Sequence, residues 1–404
     1  MKPVELKPGI FWVGAVDWAI RDFHGYMTPK GSTYNNYLVL DDEPTLLDGV
    51  KAEFADVSLT RIKALIEPGK IKHLIVNHIE PDHGGGLPAI LALMPGVPLY
   101  CTEKGRKGLQ KFHDVSRWDF HIVKTGDTLK IGKRTLLFVE TPMIHWPDSM
   151  MTYIKEDRVL ISQDGFGQHL ASTQRFDDEF IECASEALLT EYMWDYYANI
   201  LMPFGTVIKA KLDEFGKLGV DPVMIAPDHG VIWRNPQKAI GMYRDMIEGK
   251  CHERVVIIYD SMWGNTGKLA QAITEGITDE GMDCRVIKLR QCPASEAVKE
   301  FWMARGSLLG TPTLNNKIFH YVAQFLAYLE GLKPKNRIAS AFGSYGWGGG
   351  AVRDAVQKFR DMKLEIFEEG FEANYRPDAG EEQGAYDFGR RFAQAAREYH
   401  KRFA

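Results

Sequence analysis

Apolar residues recur along this chain in two rhythms, and the change comes near residue 250. In the first half, short apolar or alternating runs predict strands over 10–13, 34–40, 45–47, 72–77, 98–101, 121–123, 134–140, 151–154, 158–162 and 222–226. Helical periodicity predicts helices over 57–66, 182–199 and 207–218. Runs of strands capped by helices imply an αββα sandwich, two packed mixed sheets covered by helices. From Ile247 to Arg254 the pattern breaks into polar residues and reads as a linker. Beyond it, strands over 255–259, 284–289, 307–310, 338–343 and 365–367 alternate strictly with helices over 267–280, 295–303, 318–330, 351–362 and one from about Gly384. That alternation implies a doubly wound parallel sheet. The expected division is an α/β domain over 1–250 and a second over 251–404, with no internal repeat relating them.

Composition narrows the function without deciding it. The chain has 404 residues, 45% apolar and 25% charged, as an ordinary globular enzyme has. A net charge of −5 leaves no footprint for nucleic acid. No run approaches the ~20 apolar residues of a membrane span, and the segment from Met1 to Pro8 lacks the apolar core of a signal peptide. Five cysteines, odd in number and without a C-x-x-C pair, point to a reducing, cytoplasmic compartment.

The chemistry starts at the end of the apolar run Leu74-Ile75-Val76, where His78, Glu80, Asp82 and His83 crowd into six residues on a loop. Two imidazoles with two carboxylates form a hard O/N donor set that suits iron or manganese at least as well as zinc. His145, Asp164 and His229 each follow a further apolar strand by a few residues, so all seven can converge on one sheet edge. A single histidine after a strand is ordinarily a loop or core residue. The density of the 78–83 cluster is what carries the metal reading, because such groups on a strand terminus need compensation. Seven donors suffice for two ions roughly 3.5–4 Å apart, and the two oxygens of Asp164 suit it to bridge them.

A second constellation opens the first helix of the second half. Ser261, Met262, Trp263, Gly264, Asn265 and Thr266 place hydroxyls and free backbone N–H groups around one phosphate at a positive helix terminus. The loop has neither the lysine of a nucleoside-triphosphate loop nor the glycine pattern of a dinucleotide loop, so a monophosphate remains and FMN fits. Thr311, Pro312, Thr313 and Asn315 follow the third strand. Ser344, Tyr345, Gly346, Trp347, Gly348 and Gly349 follow the fourth, beside the switch in strand order. The indole of Trp347, flanked by glycines, can lie flat on a flavin ring.

The metal residues, in this order, resemble the metallo-β-lactamase fold in its flavodiiron form, and the three loops resemble flavodoxin. Their fusion resembles class A flavodiiron proteins over nearly the full chain. The hydrolytic members of that fold carry histidine where Glu80 stands. The resemblance implies that His78, Glu80 and His145 hold one iron, that Asp82, His83 and His229 hold the other, and that Asp164 bridges; in some relatives the match of His83 turns away. It implies reduction of O2 to water, of NO to N2O, or of both. Two ferrous ions and reduced FMN together supply the four electrons O2 needs. Tyr26, His24 and the pair Tyr196-Tyr197 are candidates to line the gas pocket, with Tyr26 and Tyr197 taken forward, whereas Trp146 is assigned to packing. The family pattern also implies a head-to-tail homodimer or a dimer of such dimers. No rubredoxin-type cysteine cage follows the flavin loops, so electrons are expected from a separate donor, rubredoxin or a reduced deazaflavin. The alternative is a dizinc hydrolase of the metallo-β-lactamase fold with a flavodoxin redox module, against which Glu80 counts.

Overall fold

The computed structural model describes residues 2–403. The chain divides into two compact units. The first comprises 1–24, 28–196 and 204–244, and the second 25–27, 197–203 and 245–404.

In the first unit a seven-stranded sheet runs in the order Val4–Lys7, Ile10–Trp12, Tyr37–Val39, Thr45–Leu47, His73–Ile75, Pro98–Cys101 and Asp119–Ile122. A five-stranded sheet follows in chain order from Thr128–Lys130 through Thr135–Glu140, Met150–Ile154 and Val159–Gln163 to Met224–Pro227. Both are mixed; the last four strands of the first sheet and the last two of the second pair in parallel. Strand alternation decides the layers. Leu47 and Ile75 point inward with Phe138, Ile154 and Ile161 into the core between the sheets. Leu46 and Leu74 point the other way, against Leu59, Ile62, Leu87 and Ile90 of the covering helices.

The second unit is a parallel sheet in the order Asp283–Lys288, His252–Tyr259, Ala304–Gly310, Ile338–Tyr345, with Glu365–Ile366 and Phe371–Asn374 both pairing the last. The order reverses at His252–Tyr259, so the neighbouring loops after residues 259 and 310 flank the crevice where ligands bind such sheets. Helices Asn265–Asp279 and Ala379–Lys401 pack closely where Gly276 and Gly389 meet backbone of the facing helix; a Cβ there would stand 2.1 Å from the Tyr386 carbonyl or 2.3 Å from that of Ile273.

Three expected elements differ in detail. The helix over 182–199 is two helices, Asp177–Cys183 and Glu186–Tyr196, followed by a π-turn over Tyr197–Leu201. Ser185 starts the second, its Oγ accepting from Leu188 N–H at 3.1 Å. The strand over 365–367 is Glu365–Ile366, and a turn with positive φ at Glu368 and Gly370 leads to a further, unexpected strand, Phe371–Asn374. The loop bearing His78 contains one helical turn, Pro81–Gly84, with proline at its start. No helix among the described residues is long and apolar enough to cross a membrane.

Candidate functional site

The run 77–83 leaves the end of strand His73–Ile75 and is pinned from three sides. Asp48, at the end of strand Thr45–Leu47, accepts from the backbone and side-chain amide of Asn77, each at 2.6 Å. Asn77 in turn accepts from Thr152 Oγ1 at 2.7 Å. Asp148 Oδ2 accepts from the Ile79 backbone at 3.0 Å and faces His78 Nδ1 at the same distance. Ile79 packs beneath helix Glu103–Phe112, where only a glycine at 108 leaves room for its methyl. The apolar side chain between the polar ones therefore anchors the loop.

All seven metal candidates lie in the first unit and gather into two adjoining groups, His78, Glu80, His145 and Asp164, and Asp82, His83 and His229. Asp164 divides its oxygens between them. Its Oδ2 stands 2.9 Å from His145 Nε2 and 3.4 Å from His78 Nε2. Its Oδ1 stands 3.1 Å from His83 Nε2 and 3.4 Å from His229 Nε2. Glu80 Oε2 completes the first group, 2.9 Å from His145 Nε2 and 3.3 Å from His78 Nε2. Asp82 completes the second, 3.4 Å from His83 Nε2 and 3.1 Å from His229 Nε2.

These spacings fit a pair of cations. Donors bonded to a first-row dication at roughly 2.0–2.2 Å stand roughly 3–3.6 Å from one another. Both Asp82 oxygens, His83 Nε2 and Asp164 Oδ1 are buried without a hydrogen-bond partner, and all face the other donors. Such atoms are costly unless something satisfies them. The electrostatics agree. Burial disfavours a charged His78, yet the carboxylates of Asp148 and Asp164 lift it well above the usual imidazole range. Burial likewise opposes a charged His145, and Asp164 and Glu80 raise it to about 9. The pocket holds an excess of negative charge that a cation would relieve.

The far nitrogens are also held. His78 Nδ1 meets Asp148, His83 Nδ1 stands 3.2 Å from Asp228 Oδ2, and His229 Nδ1 donates to the Thr33 carbonyl at 2.6 Å. Asp148, Asp228 and Thr33 were not among the expected site residues, although Asp228 adjoins His229 and Asp148 follows His145 by three. His169 is also new, its ring 4.6 Å from that of His229 and its Nδ1 2.7 Å from Ser32 Oγ. His24, with a half-exposed ring, brings Nε2 to 3.6 Å from Glu80 Oε1, a contact that raises its pKa.

The expected tyrosines separate. Tyr196 belongs to this unit, its ring 6.3 Å from that of His229. Tyr26 and Tyr197 belong to the second unit. Tyr26 is buried on the short strand Tyr26–Met27, and the ring of Tyr197 lies 5.5 Å from Trp302. Trp146 is partly buried beside the His78 ring, as its packing role requires.

In the second unit the three expected loops enclose a cavity of about 760 Å³, within the range of sites for drug-sized ligands. All the expected flavin residues line it except Gly264, Thr266, Thr311 and Gly349; Leu314, Asn316 and Tyr375 line it in addition. Of these four, Thr266 and Thr311 are buried behind the lining, whereas Gly264 is exposed and Gly349 partly so. Gly264 precedes helix Asn265–Asp279 with φ +89° and gives its N–H to Ser261 Oγ at 2.9 Å. Thr266 Oγ1 meets Ser344 Oγ at 3.1 Å, and Thr311 Oγ1 accepts from Phe319 N–H at 3.1 Å. Asp260 clamps the first loop, accepting from Ser261 N–H at 2.6 Å and from Arg290 Nε at 2.9 Å. Trp263 and Trp347 are 90% and 94% exposed at the rim. A helix terminus with a hydroxyl cradle and exposed aromatic faces fits FMN.

Comparison with known proteins covers both domains. Residues 33–230 match the ODP family of beta-lactamase domains, and residues 257–389 match flavodoxin. A nitric oxide reductase of Moorella thermoacetica is 41% identical over 396 residues, 97% of this chain and 98% of its own. Rubredoxin oxygen:oxidoreductase from Desulfovibrio gigas superposes with a TM-score of 0.95 at 37% identity, covering 98% of this chain and 99% of its own. The flavodiiron protein of Giardia intestinalis gives 0.95 at 34% identity, over 100% and 99%. Likeness that runs unbroken through both domains, in the same order and at this identity, settles the family: this chain belongs to the flavodiiron proteins.

Proposed function

We propose that this chain is an oxidoreductase that reduces O2 to water, NO to N2O, or both at two iron ions, with FMN relaying electrons from a separate carrier. The observation that supports it most is the division of Asp164 between two donor groups, Oδ2 toward His78 and His145, Oδ1 toward His83 and His229. On this reading His78, Glu80 and His145 hold one iron, Asp82, His83 and His229 hold the other, and Asp164 joins them. When bound, the irons and the flavin supply the four reducing equivalents that O2 needs and the two that coupling of NO needs.

The chain's own residues set the conditions. Glu80, Asp82 and Asp164 bring three negative charges among neutral imidazoles, which two divalent cations offset. Glu80 adds a hard oxygen donor where a dizinc hydrolase has an imidazole, so the hydrolase alternative is disfavoured. Asp148 and the Thr33 carbonyl hold the Nδ1 protons of His78 and His229, and Asp228 stands beside Nδ1 of His83, so that each Nε2 would face the ions. His24, at the rim beside Glu80, is the group placed to pass protons between solvent and the site. In the other unit the Ser261–Thr266 loop holds the FMN phosphate, and Trp347 offers a face to the ring.

The working unit is taken to be a head-to-tail homodimer, or a dimer of such dimers, in the cytoplasm. Rubredoxin or a reduced deazaflavin is the carrier, and the name of the Desulfovibrio relative favours rubredoxin. Removing iron with a chelator and restoring it tests the scheme: activity should vanish and return, and gas reduction that survives without iron defeats it.

A further inference from the structure

A groove of about 540 Å³ opens on the first unit, lined by none of the seven metal-site residues. Its floor is Trp12, buried and fixed by an Nε1 hydrogen bond of 2.8 Å to Asn35 Oδ1. Two guanidinium groups lie over that indole, Arg61 at 4.6 Å and Arg175 at 4.7 Å from the ring centroid. Arg61, on helix Ala55–Lys63, donates to the carbonyls of Lys2 and Gly14. Arg175 donates to the carbonyl of Ser172. Neither guanidinium forms an ion pair among the described residues; Glu179 accepts from the backbone N–H of Arg175, at 3.3 Å, and its charge offsets only part of the cost of burying that side chain.

Two like charges share one ring, Arg61 half-buried and Arg175 buried. Arg175 is 6% exposed, and burial together with the charge of Arg61 pushes its guanidinium down to about 10. Burial lowers Arg61 as well. Cation–π contact offsets part of this cost, but a buried cation is normally paired. Lys2 adds a third cation to the lining, and Val16, Trp18 and Phe54 supply an apolar wall. Trp18 is 55% exposed, a large ring left open beside the charges.

We propose that this groove binds an organic anion with a flat apolar body, its carboxylate or phosphate held by Arg61 and Arg175 and its ring against Val16, Trp18 and Phe54. Arginine forks suit either head group, since both accept two parallel N–H bonds. The ligand completes the charge balance of Arg61 and Arg175 and covers Trp18, and it does so independently of the gas-reducing site.

The test is calorimetric titration of the protein loaded with iron and FMN, using 1-naphthoate, 1-naphthyl phosphate and the uncharged 1-naphthamide. At least one anion should bind with a Kd below about 1 mM, and the amide at least about tenfold more weakly. Arg61→Met and Trp18→Ala should each weaken the anion by about tenfold or more. Trp18 is more than half exposed, so its truncation leaves the fold intact and gives a reading even where the arginine variant does not fold. The anion bound more tightly identifies the head group. No binding, equal affinity for anion and amide, or undiminished affinity in Trp18→Ala overturns the proposal.

Discussion

The carboxylate of Asp164 shares its two oxygens between two sets of neighbours, and the rest of the centre is arranged around that division. The seven donors were legible in the sequence because each follows an apolar strand and because four of them crowd into six residues. What periodicity could not supply was the layer behind them. Asp148 and Asp228 look like ordinary loop acids until the fold places them against His78 and His83. Asp228 was the more readable of the two, since it stands directly beside the candidate ligand His229. This layer makes a prediction at its own scale. Asp148→Asn keeps the shape and an acceptor oxygen for the Ile79 amide and His78 Nδ1 but removes the negative charge facing that imidazole, and should weaken iron binding by about 10–100-fold. Competition with a chromogenic chelator reads this directly, and an unchanged affinity would show that Asp148 serves only the backbone.

At the scale of elements, the strands were the most readable part, because their apolar runs are short and bounded. Helix Glu103–Phe112 was missed for a physical reason. Among its ten residues only Gly105 and Leu109 are buried, so no apolar stripe marks it. Thr102 was its one signal, capping the Gly105 N–H at 3.0 Å. Helix Pro236–Glu248 was missed although Asn235 and Pro236 announce its start, with Asn235 Oδ1 accepting from Lys238 N–H at 3.3 Å. The single helix expected over 182–199 failed at Ser185, whose capping hydroxyl outweighed continuous helical periodicity. The flavin loop was legible because its small residues precede a helix directly after a strand. Gly264 there has φ +89°, which a side chain adopts at a cost of about 1–2 kcal/mol. Gly264→Val should therefore weaken FMN by roughly tenfold or more while leaving iron content unchanged. Flavin released on dilution, measured by its fluorescence, checks this; full retention of FMN would mean the loop does not need that backbone form.

At the scale of the whole molecule, the reversal of strand order at His252–Tyr259 and the sandwich before it both followed from how the rhythm changes along the chain. The short pieces 25–27 and 197–203 that cluster with the second unit did not, because no local pattern marks a segment that leaves its own domain. The proposed head-to-tail dimer has a functional consequence. Chains carrying Asp164→Asn lack a competent metal centre, and chains carrying Gly264→Val, dialysed free of their weakly held flavin, carry none. Mixed and re-associated, they should recover activity that neither has alone, since one chain's flavin would serve the other's irons. Recovery no greater than the sum of the separate samples would refute exchange between chains. The central claim, a two-iron centre fed by FMN that reduces O2, NO or both, is met most directly by anaerobic stopped-flow of the fully reduced, iron-loaded protein against each gas in turn. The account predicts that at least one gas reoxidises both iron and flavin, with N2O formed from NO or water without peroxide from O2. Protein that carries iron and FMN yet is reoxidised by neither gas would contradict it.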